Sequence, residues 1–123
     1  MKVLIVDDSK AMRMIVTRTL KQAGIINLTT IEAGSGVEGL AMVADHKPNA
    51  IFSDWNMPEM TGIDFLKKLR EDGNSTLFGF VTSESSPEVK KEAKDAGASF
   101  FIVKPFTPNS FEAALAPVMA KTF

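Results

Sequence analysis

The sequence predicts one α/β domain, a doubly wound parallel five-stranded sheet on a (βα)5 plan. Three observations lead there. Five short apolar runs alternate with five amphipathic segments from one end of the chain to the other. The runs are nearly continuous in apolar residues, as in Val3-Leu4-Ile5-Val6, which suits strands covered on both faces. The junctions carry helix-starting Ser or Thr and helix-stopping Gly.

The first strand is Val3–Val6. Ser9 caps the following helix, Met12, Ile15, Val16 and Leu20 share a face, and Gly24 stops it. Leu28–Ala33 is the second strand. Ser35 and Glu38 form a capping-box pattern ahead of Leu40, Ala41 and Ala44. His46, the only histidine, has no second His and no Cys with which to share a metal, and reads as a surface residue. Ala50–Ser53 is the third strand, and Thr61 with Asp64 starts a helix whose Phe65, Leu66 and Leu69 face inward. Leu77–Thr82 is the fourth strand. Ser86-Pro87 places proline in a first helical turn, Val89, Ala93 and Ala96 form the inner face, and Gly97 closes the helix. Ser99–Val103 is the fifth strand. Thr107-Pro108 opens the last helix, with Phe111, Leu115 and Val118 as its buried stripe. Pro117 falls inside that stripe, where a missing donor and a clash with the preceding turn cost ~3 kcal/mol or more. A kink or an early end near Ala113–Pro117 is expected.

Repeated βα units require right-handed crossovers. The strand order 2-1-3-4-5 is that of known flavodoxin-like sheets rather than a consequence of the run spacing. In such sheets ligands bind beyond the strand carboxyl ends, where strands 1 and 3 diverge.

The composition narrows the function. At 123 residues and 45% apolar content, residues 1–123 make a single domain that buries roughly two-thirds of its unfolded surface. Fourteen basic against fifteen acidic residues give a net charge of −1, so no general attraction to nucleic acid or anionic membrane is expected. The absence of cysteine excludes disulfides, thiolate nucleophiles and zinc–thiolate sites. No signal-peptide core and no apolar run near the ~20 residues of a membrane span are present. A cytoplasmic monomer without nucleic-acid or membrane partners is the expectation.

Four side chains carry the chemistry. Asp7 and Asp8 follow strand 1, Asp54 follows strand 3, and Lys104 follows strand 5. In a parallel sheet all emerge at one edge. Carboxylates ~5 Å apart repel by roughly 3 kcal/mol per pair at an effective dielectric of ~20. A proton or a cation must offset that. All-oxygen ligands favour Mg²⁺, which leaves room for phosphate oxygens. Asp7 or Asp8 could instead cap the helix near Ser9. Asp54 suits a nucleophile, because carboxylates form aspartyl phosphates. Lys104 would neutralise phosphoryl oxygens, and Thr82 offers a hydroxyl from the end of strand 4 or bonds the local backbone.

These motifs resemble a known family. Asp7-Asp8, the run Asp54-Trp-Asn-Met-Pro-Glu-Met-Thr-Gly62, Thr82-Ser-Glu and Lys104-Pro-Phe are similar to the receiver domains of two-component response regulators, in order and spacing, over the whole chain. The Asp-Trp-Asn-Met-Pro run is most similar to single-domain chemotaxis regulators. The resemblance implies that Asp54 is phosphorylated by a histidine kinase, and that Asp8, Asp54 and the Asn56 backbone oxygen bind Mg²⁺ directly with Asp7 acting through water. It further implies that Lys104 contacts the phosphoryl group, that Thr82 moves toward it, and that Asn56 and Glu84 tune its hydrolysis. The Lys104–Pro105 bond is expected to be cis. The switch residue three positions before the lysine is usually Tyr in chemotaxis regulators. Here it is Phe101, in a chain without tyrosine, which bears on flagellar motor-switch binding more than on phosphorylation. The implied partner surface is helix 4, strand 5 and helix 5, with Lys90, Lys94, Phe101 and Phe111, although Phe111 reads better as core.

The implied function is a phospho-accepting switch in chemotaxis, with a phosphorelay intermediate or a receiver of another pathway as alternatives. A Mg²⁺-dependent phosphohydrolase would need a second general acid–base group near Asp54. A flavin or nucleotide carrier would need a Gly-rich phosphate loop after strand 1, where Asp7-Asp8-Ser9 stands instead.

Overall fold

Side chains along a strand alternate between faces, so each apolar run supplies two layers of core at once. In a computed structural model that describes residues 1–25 and 27–119, the runs become β1 (Lys2–Val6), β2 (Thr29–Ala33), β3 (Ala50–Ser53), β4 (Leu77–Thr82) and β5 (Phe100–Val103). All neighbours pair in parallel, in the order β2-β1-β3-β4-β5. Between them lie α1 (Lys10–Gln22), α2 (Gly36–His46), α3 (Gly62–Glu71), α4 (Pro87–Asp95) and α5 (Pro108–Met119).

Val3, Ile5 and Phe52 face α1 and α5, where they pack with Val16, Leu20, Phe111 and Leu115. Leu4, Val6, Ile51, Phe78 and Phe80 face the other way, against Val43, Phe65, Leu66, Leu69 and Ala93 of α2, α3 and α4. Gly79 lies under the Phe100 ring: a β-carbon there would fall 1.9 Å from a ring atom. The fifth strand can therefore seat its aromatic directly on the β4 backbone.

The caps form as the sequence leads one to expect. Ser9, Ser35, Thr61 and Ser86 each accept a hydrogen bond from the backbone N–H three residues on. Thr107 and Ser110 exchange reciprocal bonds at the start of α5. Gly24 and Gly97 take positive φ just beyond α1 and α4. The Glu38 carboxylate closes its box on the N–H of Gly34 rather than of Ser35.

Three expectations are corrected. Ile15 is 42% exposed, and Thr19 joins Val16 and Leu20 on the buried face of α1. On α2 the inward residues are Gly36, Gly39 and Val43, while Ala41 and Ala44 are exposed. The glycines let α2 approach closely: a β-carbon on Gly39 would lie 2.9 Å from the Phe65 ring. Finally, of the kink or early end expected near Ala113–Pro117, the early end does not occur: α5 continues to Met119. The proline removes one donor in the last described turn. Lys121 lies outside the described residues, and Val118 outside those whose side chains are described. His46 is exposed, and its carbonyl accepts a bond from the Lys2 ammonium. Among the described residues no helix is long and apolar enough to cross a membrane.

Candidate functional site

The sheet's own hydrogen bonds place the chemical residues. Asp7 N–H donates to the Ala33 carbonyl at 3.1 Å, Asp54 N–H to Val6 at 2.9 Å, and Lys104 N–H to Thr82 at 2.8 Å. Each bond extends a strand ladder by one rung, so backbones at the ends of β1, β3 and β5 are fixed before any side chain contributes. The Lys104–Pro105 peptide is cis, as expected.

The carboxylate oxygens of Asp7, Asp8 and Asp54 come within 4.8 Å of one another. Asp7 is 4% exposed. Its Oδ1 accepts from the Ser9 N–H at 2.9 Å, so it is this aspartate that braces the start of α1. Its Oδ2 lies 3.1 Å from the Lys104 ammonium, which also reaches Asp54 Oδ2 at 3.5 Å. Asp54 Oδ1 accepts from the Trp55 N–H at 2.7 Å. Burial pushes the Asp7 carboxyl above its ordinary range, and the neighbouring Asp54 charge adds to this. The Ser9 N–H and Lys104 pull the other way without cancelling it. One ammonium thus faces three carboxylates, leaving a net negative pocket of hard oxygen donors. That donor set fits a small divalent cation such as Mg²⁺.

Around this centre, Thr82 is fully buried and its Oγ1 accepts from the Glu84 N–H at 3.2 Å. The hydroxyl is therefore engaged with the local backbone, the plainer of the two readings. Asn56 Nδ2 donates to Glu84 Oε1 at 3.0 Å, joining the loops after β3 and β4 beside Asp54. Gly62 lets the Asp54 loop return: its N–H donates to the Trp55 carbonyl at 2.8 Å, and a β-carbon would sit 2.1 Å from the Asp54 carbonyl oxygen.

The expected partner face is brought together only in part. Lys90 and Lys94 are exposed and Phe101 is half-buried on the edge strand. Phe111 is fully buried and stacks at 6.1 Å on Phe52, so it belongs to the core and not to that face. Phe101 packs at 6.0 Å on Phe80, which packs at 4.8 Å on Trp55.

Sequence reasoning missed Arg13, which donates to the Asp7 carbonyl oxygen at 2.6 Å and pairs with Glu32 at 2.8 Å. The available signal was a cation beside the inward face of α1, one turn after the acidic pair.

Residues 3–116 match the family model of the response regulator receiver domain. Chemotaxis protein CheY1 of Helicobacter pylori is 38% identical over 122 residues, covering 97% of both chains. Chemotaxis protein CheY-3 of Vibrio cholerae is 40% identical over 117 residues, 94% of this chain and 88% of the other. The solved structure of Vibrio cholerae chemotaxis protein CheY4 superposes with a TM-score of 0.82 at 40% identity, covering 95% and 97% of the two chains. The matched span holds β2 to β5, all of β1 but Lys2, and every acidic or basic group of the site, and the chain belongs to the response regulator receiver family, the phosphoryl-accepting switches of two-component signalling.

Proposed function

We propose that residues 1–123 act as one receiver unit in which Asp54 accepts a phosphoryl group from a histidine kinase. The observation that carries this is the Lys104 ammonium 3.5 Å from Asp54 within the carboxylate cluster. An Asp54 oxygen forms the new bond to phosphorus as the phosphorus–nitrogen bond of the donor phosphohistidine breaks. The bonding pair leaves with the imidazole. Little covalent help is needed beyond positioning and charge. The Trp55 N–H and the strand ladder hold Asp54, and Lys104 offsets charge on the transferred oxygens. Asp8, Asp54 and the Asn56 backbone oxygen would hold Mg²⁺ directly, with Asp7 acting through water. Bound there, the ion supplies further positive charge to the phosphoryl oxygens.

Loss of the group requires attack by water. Asn56 and Glu84, bonded to each other beside Asp54, are assigned to tune that step. Thr82 exchanges its bond from the Glu84 N–H for one to the phosphoryl group, biasing a two-state equilibrium read by Phe101. The names of the relatives support chemotaxis as the pathway, and the face carrying Lys90, Lys94 and Phe101 as the surface offered to a downstream target, a flagellar motor switch among the options.

Trp55 is the only tryptophan and adjoins Asp54. Its emission is followed during Mg²⁺ addition and then acetyl phosphate, with Asp54→Asn alongside. A Mg²⁺ response, followed by a donor response and a phosphoryl mass gain that the variant lacks, is expected. Wild-type protein without the mass gain refutes the assignment. Turnover of an organic phosphate well beyond one equivalent would favour a phosphohydrolase.

A further inference from the structure

Arg13 and Glu32 have no part in the phosphoryl chemistry above, yet they are built against the site. The Arg13 side chain is 16% exposed, with Nε donating to Glu32 Oε1 at 2.8 Å and Nη1 to the Asp7 carbonyl oxygen at 2.6 Å. Glu32 belongs to β2 and lies in register with Ile5 of β1. One rigid guanidinium fork therefore ties the β1–α1 loop to the edge strand, a task that suits Arg and not Lys.

Asp8 shows why this matters. Its side chain is exposed, and among the described residues its carboxylate has no hydrogen-bond or ion-pair partner. Its oxygens nevertheless lie within 4.8 Å of those of Asp7 and Asp54. Only the backbone can hold them there. The Asp7 carbonyl is one edge of the planar Asp7–Asp8 peptide, so fixing that oxygen fixes the orientation in which Asp8 leaves the chain. We propose that Arg13, itself held by Glu32, is a positioning residue for Asp8 and sets the affinity of the acidic cluster for a divalent cation. The assignment rests on the magnesium reading of that cluster.

Position and charge predict opposite outcomes. A cation near the cluster repels Mg²⁺, so if charge alone mattered, Arg13→Ala would tighten binding and Arg13→Lys would leave it unchanged. If position matters, both weaken it, because Lys keeps the charge and loses the fork. Partners standing behind metal ligands typically contribute ~10–100-fold to affinity, and about tenfold is expected here because the contact is to backbone.

The test is a Mg²⁺ titration of Trp55 emission on the full chain. The variants are Arg13→Ala, Arg13→Lys, Glu32→Ala and Glu32→Gln, the last keeping an acceptor without the charge. Amide exchange at Asp8 and Ser9 in Mg²⁺-free buffer is measured in parallel. Both Arg13 variants and Glu32→Ala are expected to bind about tenfold more weakly and to exchange faster at those amides, with Glu32→Gln nearer to wild type. Unchanged affinity in Arg13→Lys, or tighter binding in Arg13→Ala, overturns the assignment. So does a lowered melting temperature with unchanged affinity, since that marks a purely structural contact. Should the Arg13 variants fail to fold, the half-exposed Glu32 pair decides by the same criteria. A wild-type chain with no Mg²⁺ response overturns the magnesium reading, and this assignment with it. A responsive wild type whose variants titrate over the same Mg²⁺ range overturns this assignment alone.

Discussion

Replacing Asp7 by Asn removes one charge from the cluster and almost nothing else, since the amide oxygen can still accept from the Ser9 N–H. At separations of up to 4.8 Å and an effective dielectric of ~20, each carboxylate pair costs about 3.5 kcal/mol. The 3.1 Å contact with Lys104 returns about 5 kcal/mol on the same scale. Neutralising Asp7 relieves two repulsions and forfeits one attraction, a net relief of about 2 kcal/mol without metal. Relief of the burial cost acts in the same direction. The folded-state pKa of Asp7 is raised. Wild-type stability therefore falls as pH rises from the ordinary carboxylate value of about 3.9 through the folded value, because the folded state holds the proton longer. In EDTA at neutral pH, Asp7→Asn should melt about 8 °C higher, at roughly 4 °C per kcal/mol for a domain of this size. Its acid-range slope should flatten. Saturating Mg²⁺ should raise the wild-type midpoint more than that of the variant. Calorimetry across pH with and without Mg²⁺ checks all three. An Asp7→Asn midpoint at or below wild type in EDTA would refute the balance of charges drawn here.

Gly62→Ala would drive a methyl group against the Asp54 carbonyl oxygen; a loss of about 1–3 kcal/mol in urea unfolding is expected, together with slower phosphoryl uptake by intact mass. Phe80→Leu removes the ring standing between Trp55 and Phe101, so about 2 kcal/mol of stability should be lost. The change in Trp55 emission on phosphorylation should shrink as well, and an undiminished change would show that the stack carries no signal. Asn56→Ala and Glu84→Ala should each change the hydrolysis rate of the phosphorylated chain. The double variant should match either single one, since the two side chains share one hydrogen bond. Additive effects in hydrolysis assays would show that they act separately.

The strands were legible because caps and stops bracket continuous apolar runs. β3 and β4 have the expected limits, and β1, β2 and β5 differ by one residue at their first end. Helix rotation was less legible. Spacing placed Ala41 and Ala44 inward, but Gly36 and Gly39 decide how α2 sits, because packing favours the face that can come closest. At the site, Asp7, Asp8, Asp54, Thr82 and Lys104 converge simply because each ends or follows a parallel strand. Their partners did not follow from the sequence. Whether Lys104 meets Asp7, and whether Glu32 reaches Arg13, depends on which strands are neighbours, and no local pattern encodes that. Thr82 illustrates the same limit, since a hydroxyl at a strand end reveals nothing of the bond it is already making.

The bond between Lys104 and Asp7 spans 97 positions of sequence. A polypeptide emerging from the ribosome shows its acidic residues long before it can show the lysine that balances them. Until β5 docks at the far edge of the sheet, the pocket lacks the ammonium that pairs with Asp7 and Asp54. The full charge arrangement of the pocket thus arrives last, with the final strand. A fragment halted short of Lys104 would display the aspartates without the ammonium that stands 3.1 Å from Asp7 and 3.5 Å from Asp54.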